Sequence, residues 1–196
     1  MTCIIAYIDK DGVGHMAGDS AGTALGYHSR SDNVHPKVFR NGEMLIGYTT
    51  SFRMGQLLQY AFVPPAHPEG MDSYAYMIKH VVPEIRKTFV SAGYTKADDK
   101  EGGTFMIVYR GKLFYIQEDY AVFERPHNFD SCGSGQTASN TVFETIVEFG
   151  MLDHIGVREA MLKALEITSR HNITVSGRMD YLNTEGESFS RDAIHR

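Results

Sequence analysis

Apolar positions along the chain switch between two rhythms. Residues 3–8 and 13–17 are short apolar runs on either side of Asp9, Lys10, Asp11 and Gly12, the signature of a β-hairpin, and residues 37–39 with 43–49 predict a second hairpin. From Ser51 the rhythm becomes helical: Met54, Leu57, Leu58 and Ala61 share one face, and the prolines of 63–70 end that helix. Ser73 is the expected N-cap of a second helix carrying Met77, Ile78, Val81, Ile85 and Phe89, kinked at Pro83 and closed by Gly93. Segments 104–110, 112–117 and 120–125 alternate as a meander of three strands. Ala138, Thr141, Val142, Thr145 and Ile146 mark a third helix, and Val157, Ala160, Met161, Ala164 and Leu165 a fourth. Residues 172–177 read as a strand ahead of a polar tail over 183–196. This order, with strands and helix pairs alternating, predicts an α+β domain in which helices cover sheets.

Composition narrows the class. The 196 residues are 42% hydrophobic and 22% charged with a net charge of −5, which fits one globular domain spanning the whole chain and gives no basic excess for nucleic acid. The opening apolar run is too short for a signal peptide, and no run approaches the ~20 residues that span a bilayer, so no membrane partner is expected. Two cysteines, Cys3 and Cys132, are too few for a disulfide framework and point to a reducing cytoplasm, with a single bridge between them left open. The nine histidines show no ligand spacing, so no metal and no cofactor is expected.

The first hairpin brings residues 18–22 back beside Thr2. With Lys10 and Asp11 as the loop, Thr2 lies opposite Asp19; with Asp11 and Gly12, opposite Ala21. A threonine hydroxyl needs a base to become a nucleophile, and an N-terminal threonine carries one in its α-amine, whose reference pKa is about 7.7 to 8.0. That amine exists only once Met1 is removed. Cys3 is the rival nucleophile, although its alternating position favours a buried, inert thiol.

The Thr-x-Ile-x-Ala start, Gly18-Asp19-Ser20, Pro36-Lys37-Val38-Phe39 leading to Thr49-Thr50, and Gly133-Ser134-Gly135 ahead of a helix together resemble the proteasome β-subunit superfamily of N-terminal-nucleophile hydrolases, including its short HslV-like bacterial members. The resemblance implies a four-layer αββα sandwich. It implies Thr2 as nucleophile, Asp19 as the carboxylate near the α-amine, Lys37 as the buried cation and Ser134 as a partner of the amine. It also implies a backbone N–H donor to the oxyanion at Thr49 or Thr50, where the family usually has glycine. Gly22 and Thr23 would line the cleft for an extended peptide, and His35 would face the pocket for the residue preceding the cut. The family's supporting aspartate and, three residues on, its hydroxyl are replaced here by Asn172 and Val175.

The implied activity is that of a threonine endopeptidase acting on polypeptides, within a homo-oligomeric ring of about twelve or fourteen subunits, served by an unfoldase ATPase. Two other readings stay open: a catalytically silent ring subunit, suggested by Asn172 and Val175, and an amidohydrolase of the same fold acting on a small amide.

Overall fold

Six consecutive buried residues form β1 (Cys3–Ile8), which requires cover on both faces of the strand. Alternation sorts them: Cys3, Ile5 and Tyr7 pack against helices, and Ile4, Ala6 and Ile8 against a second sheet. The computed structural model describes residues 2–24, 29–32, 34–99 and 101–192, with the backbone alone for 23–24 and 29–32.

In chain order the remaining strands are β2 (Gly14–Asp19), β3 (Ala21–Ala24), β4 (Ser29–Asp32), β5 (Val38–Asn41), β6 (Met44–Tyr48), β7 (Phe105–Tyr109), β8 (Lys112–Ile116), β9 (Val122–Glu124), β10 (Phe129–Gly133), β11 (Arg178–Asn183) and β12 (Ser188–Asp192). They make one antiparallel sheet in the order β10-β1-β2-β11-β12, a second running β5 to β9 in sequence, and a separate β3-β4 hairpin. Helices α1 (Phe52–Tyr60), α2 (Ser73–Tyr76) and α3 (Val82–Ser91) cover the second sheet, where Met54, Leu57, Ile85 and Phe89 meet Ile46, Phe105 and Ile107. Helices α4 (Gln136–Glu148), α5 (Leu152–Ile155) and α6 (Val157–His171) cover the first, with Phe143, Met161 and Leu165 against Ile5 and Ala17. Ile4, Met16, Val38, Leu45, Met106 and Val108 fill the space between the sheets. The architecture is the expected α+β, four-layer αββα sandwich. Among the described residues no helix is long and apolar enough to cross a membrane.

Several local expectations are corrected. The first hairpin turns through three residues, with Asp9 N–H donating to Val13 O (3.0 Å), Gly12 N–H to Asp9 O (3.0 Å) and Gly12 at φ 79°. The register therefore pairs Ile4 with Gly18, and one step on Cys3, not Thr2, stands opposite Asp19. The second helix is capped by Asp72, whose carboxylate accepts from Ala75 N–H (3.1 Å), rather than by Ser73. Its expected kink is a π-helical turn over Met77–Val81, after which Pro83 sits in the first turn of α3, where a missing N–H costs least. Residues 172–177 form turns instead of a strand, because Asn172 folds the chain back by accepting from Thr174 N–H at its side chain and from Val175 N–H at its carbonyl. The polar stretch from 183 supplies β12, since an edge strand tolerates polar side chains. Residues 193–196 lie outside the described residues.

Candidate active site

Asp19 closes β2 and Lys37 immediately precedes β5, so the two sheets each deliver one charge to the same buried point beside Thr2. The Lys37 ammonium donates to Thr2 Oγ1 (2.8 Å), Asp19 Oδ1 (3.2 Å) and the Ala21 carbonyl (2.5 Å). Asp19 in turn accepts from Cys3 N–H at Oδ1 (2.9 Å) and from Ser176 N–H at Oδ2 (3.3 Å). Both charges are essentially inaccessible, at 0% and 1%. Burial pushes Asp19 upward and Lys37 downward, and each is drawn back by the other's charge. With its three protons placed on three acceptors, Lys37 is a donor to Thr2 rather than a base.

The other side of Thr2 is held by the turn between β10 and α4. Gly133 has φ 96°, and a Cβ there would fall 2.1 Å from the Thr2 carbonyl oxygen, so only glycine lets the turn close on the strand. Ser134 Oγ donates to that carbonyl (3.3 Å) and lies 2.6 Å from Thr174 Oγ1. Thr174 Oγ1 donates to Asn172 Oδ1 (2.6 Å), and Asn172 Nδ2 donates to the Ser134 carbonyl (2.7 Å). The replacement of the supporting residues is thus read differently in three dimensions. Val175 is buried in the apolar core, and Thr174 supplies the hydroxyl beside Ser134.

Thr2, Gly22, Lys37, Tyr48, Thr49, Thr50, Ser51 and Phe52 line a shallow cavity of about 20 Å³. The Thr49 N–H is already given to the Thr104 carbonyl (3.0 Å), as is its hydroxyl (3.0 Å). Thr50 has φ 62°, a left-handed conformation that a β-branched residue seldom adopts, and its Oγ1 accepts from Thr104 N–H (3.2 Å). Of the two residues proposed for the oxyanion donor, Thr49 is therefore committed elsewhere.

The remaining candidates separate. Thr23 lies on β3, paired with Arg30, with its backbone alone described. His35 is exposed and is not among the residues lining the cavity, because β5 begins at Val38 and no strand alternation reaches back to it. Met1 lies outside the described residues. Cys3 and Cys132 are free, buried thiols, and burial pushes Cys3 up to about 12, so it stays protonated at neutral pH and is inert. Among the described residues no group of three or more His, Cys, Asp or Glu is placed to hold a metal ion. Thr174, Ser176, Tyr48 and Phe52 are site residues that the sequence reading passed over.

No protein-family model and no curated protein matches the chain. Solved structures do. A structure of Thiobacillus denitrificans BPH in complex with epoxomicin is 17% identical, covers 99% of this chain and 100% of its own, and superposes with a TM-score of 0.74. HslV from Trypanosoma brucei is 16% identical over 93% of this chain and 98% of its own, at 0.64. The helical assembly of the Anbu complex from Pseudomonas aeruginosa contributes a chain 15% identical, covering all of this chain and 88% of its own, at 0.65. The chain has the fold of these HslV-like and Anbu proteasome-like subunits.

Proposed function

We propose that this chain is a threonine peptidase that uses the α-amine of Thr2, freed by removal of Met1, as its base. The observation that carries the reading is the 2.8 Å hydrogen bond from the buried Lys37 ammonium to Thr2 Oγ1. A cation fixed there by Asp19 and the Ala21 carbonyl stabilises the oxygen as it loses its proton. Thr2 Oγ1 attacks the scissile carbonyl while its proton passes to the α-amine. The Thr50 N–H is the donor for the developing oxyanion, a contribution of about 3 kcal/mol for one donor. Collapse of the tetrahedral intermediate expels the amine product, which takes the proton, and leaves an ester on Thr2. Water then hydrolyses the ester with the same α-amine as base.

The neighbour captured with epoxomicin supports the reading, because epoxyketones react with an amine and hydroxyl held on one N-terminal residue. The helically assembled Anbu neighbour supports a homo-oligomer of this chain, and polypeptides delivered by an unfoldase are the substrates proposed for it. Asn172, which brings no charge to the Ser134 cluster, favours one other reading, a silent ring subunit. Turnover of fluorogenic peptides by the purified protein decides between them. The peptidase reading expects hydrolysis that disappears in Thr2→Ala, and hydrolysis unchanged by that substitution would refute it.

A further inference from the structure

Resting on the reading of Thr2 as nucleophile, we infer that Phe52 restricts the chain to peptides with a small side chain, such as glycine, alanine or serine, at the residue preceding the scissile bond. The cavity beside Thr2 Oγ1 holds about 20 Å³, room for roughly one water. Two of its lining residues, Tyr48 and Phe52, are aromatic. Phe52, the first residue of α1, lays its ring on the backbone of Gly22: a Cβ at Gly22 would meet Phe52 Cε2 at 2.4 Å and Cζ at 2.9 Å. Opposite it, Tyr48 packs edge to face against the Phe52 ring with centroids 6.4 Å apart.

The Tyr48 ring is not free to retreat into the protein. Tyr48 is 5% exposed and is backed by α1 itself, where a Cβ on Gly55 would fall 2.1 Å from Tyr48 Cζ. Lys37 Nζ lies 5.7 Å from the centroid of the half-buried Phe52 ring, a further contact that a displaced ring would give up. A peptide laid along Gly22 would thus find its side chain directed at the Tyr48 and Phe52 rings, with space for little more than a methyl group. A leucine or phenylalanine would need the Phe52 ring to leave both Gly22 and Lys37. Phe52 is a specificity-determining residue on this account, and its effect is a ratio between substrates rather than a loss of chemistry.

The test uses the processed full-length protein and two peptide epoxyketones that differ only in the residue beside the epoxyketone, alanine or leucine, with adduct formation on Thr2 followed by intact mass. Wild type should react at least about tenfold faster with the alanine probe. Phe52→Ala should raise the leucine-to-alanine rate ratio by about tenfold or more, and the milder Phe52→Leu should move it the same way if the alanine variant folds poorly. Equal rates in wild type, a preference for leucine, or a ratio unmoved in both variants would overturn the inference while leaving Thr2 as nucleophile. Failure of both probes to modify Thr2 would instead remove the nucleophile reading, and the inference with it.

Discussion

Lys37 and Asp19 meet 3.2 Å apart with neither side chain more than 2% exposed, and the same ammonium reaches Thr2 Oγ1. A buried pair of this kind is strongly coupled, so removing one member strands the other. Lys37→Met is expected to cost about 3 to 5 kcal/mol in a urea melt, because Asp19 is left as an uncompensated buried charge. Adding Asp19→Asn should recover much of that stability. Peptide turnover should remain at least about 100-fold below wild type in both variants, since the cation beside Thr2 is absent from each. Turnover returning along with stability would show that the pair is structural.

Gly133 supports Thr2 by geometry alone. Gly133→Ala must displace a Cβ that falls 2.1 Å from the Thr2 carbonyl and adopt φ 96° as well. The expected cost is about 1 to 3 kcal/mol for the backbone, and a Thr2 shifted by about 1 Å should lose about 100-fold in kcat/KM. A crystal structure with Thr2 unmoved, together with full activity, would contradict this.

Asn172 looks like a defect when compared with an aspartate, yet its Nδ2 donates to the Ser134 carbonyl while its Oδ1 accepts from Thr174. Asn172→Asp replaces that donor by an acceptor facing a carbonyl oxygen. The variant should be less stable by about 1 to 2 kcal/mol in chemical denaturation and should gain no activity. Thr174→Val should lower kcat without weakening substrate binding, which a comparison of kcat with KM reads directly.

Glu166 on α6 makes a stability prediction independent of the site. Burial pushes its carboxyl upward, but the hydrogen bonds and charges of Lys163 and Arg170 outweigh this and hold it below the usual value. A carboxyl lowered in the folded state contributes stability that is present above about pH 4.3, its unfolded value, and lost as pH falls through the lower folded one. Glu166→Gln should therefore destabilise by about 1 to 2 kcal/mol at pH 7, with the difference from wild type shrinking below pH 4. Parallel melting curves at both pH values check the sign.

The layers of the fold were legible because β1, β6 and β7 are buried on both faces and read as continuous apolar runs, while α1 and α6 carry clear helical stripes. The register of the first hairpin was not, since the Asp9 to Gly12 stretch supports loops of different length and only the position of Gly12 at φ 79° decides among them. Strand β10 and the β3-β4 hairpin lack apolar alternation and went unread. Thr2, Asp19, Lys37 and Ser134 were assigned to one site through the resemblance of their motifs, and the structure brings the four side by side. Thr174 was missed because spacing from Asn172 pointed to Val175, whereas the turn that Asn172 makes aims the intervening hydroxyl at Ser134. The Asn-x-Thr sequence, a former of such turns, was the available signal. Phe52 was passed over, since its contact with Gly22 joins residues far apart in sequence.

The most direct test of the account is the intact mass of the purified protein before and after treatment with epoxomicin. The account predicts a mass lacking Met1, a single added epoxomicin on the wild-type chain, the modified peptide beginning at Thr2, and no addition to Thr2→Ala. A chain that keeps Met1 in its active form, or an adduct that survives Thr2→Ala, would contradict it.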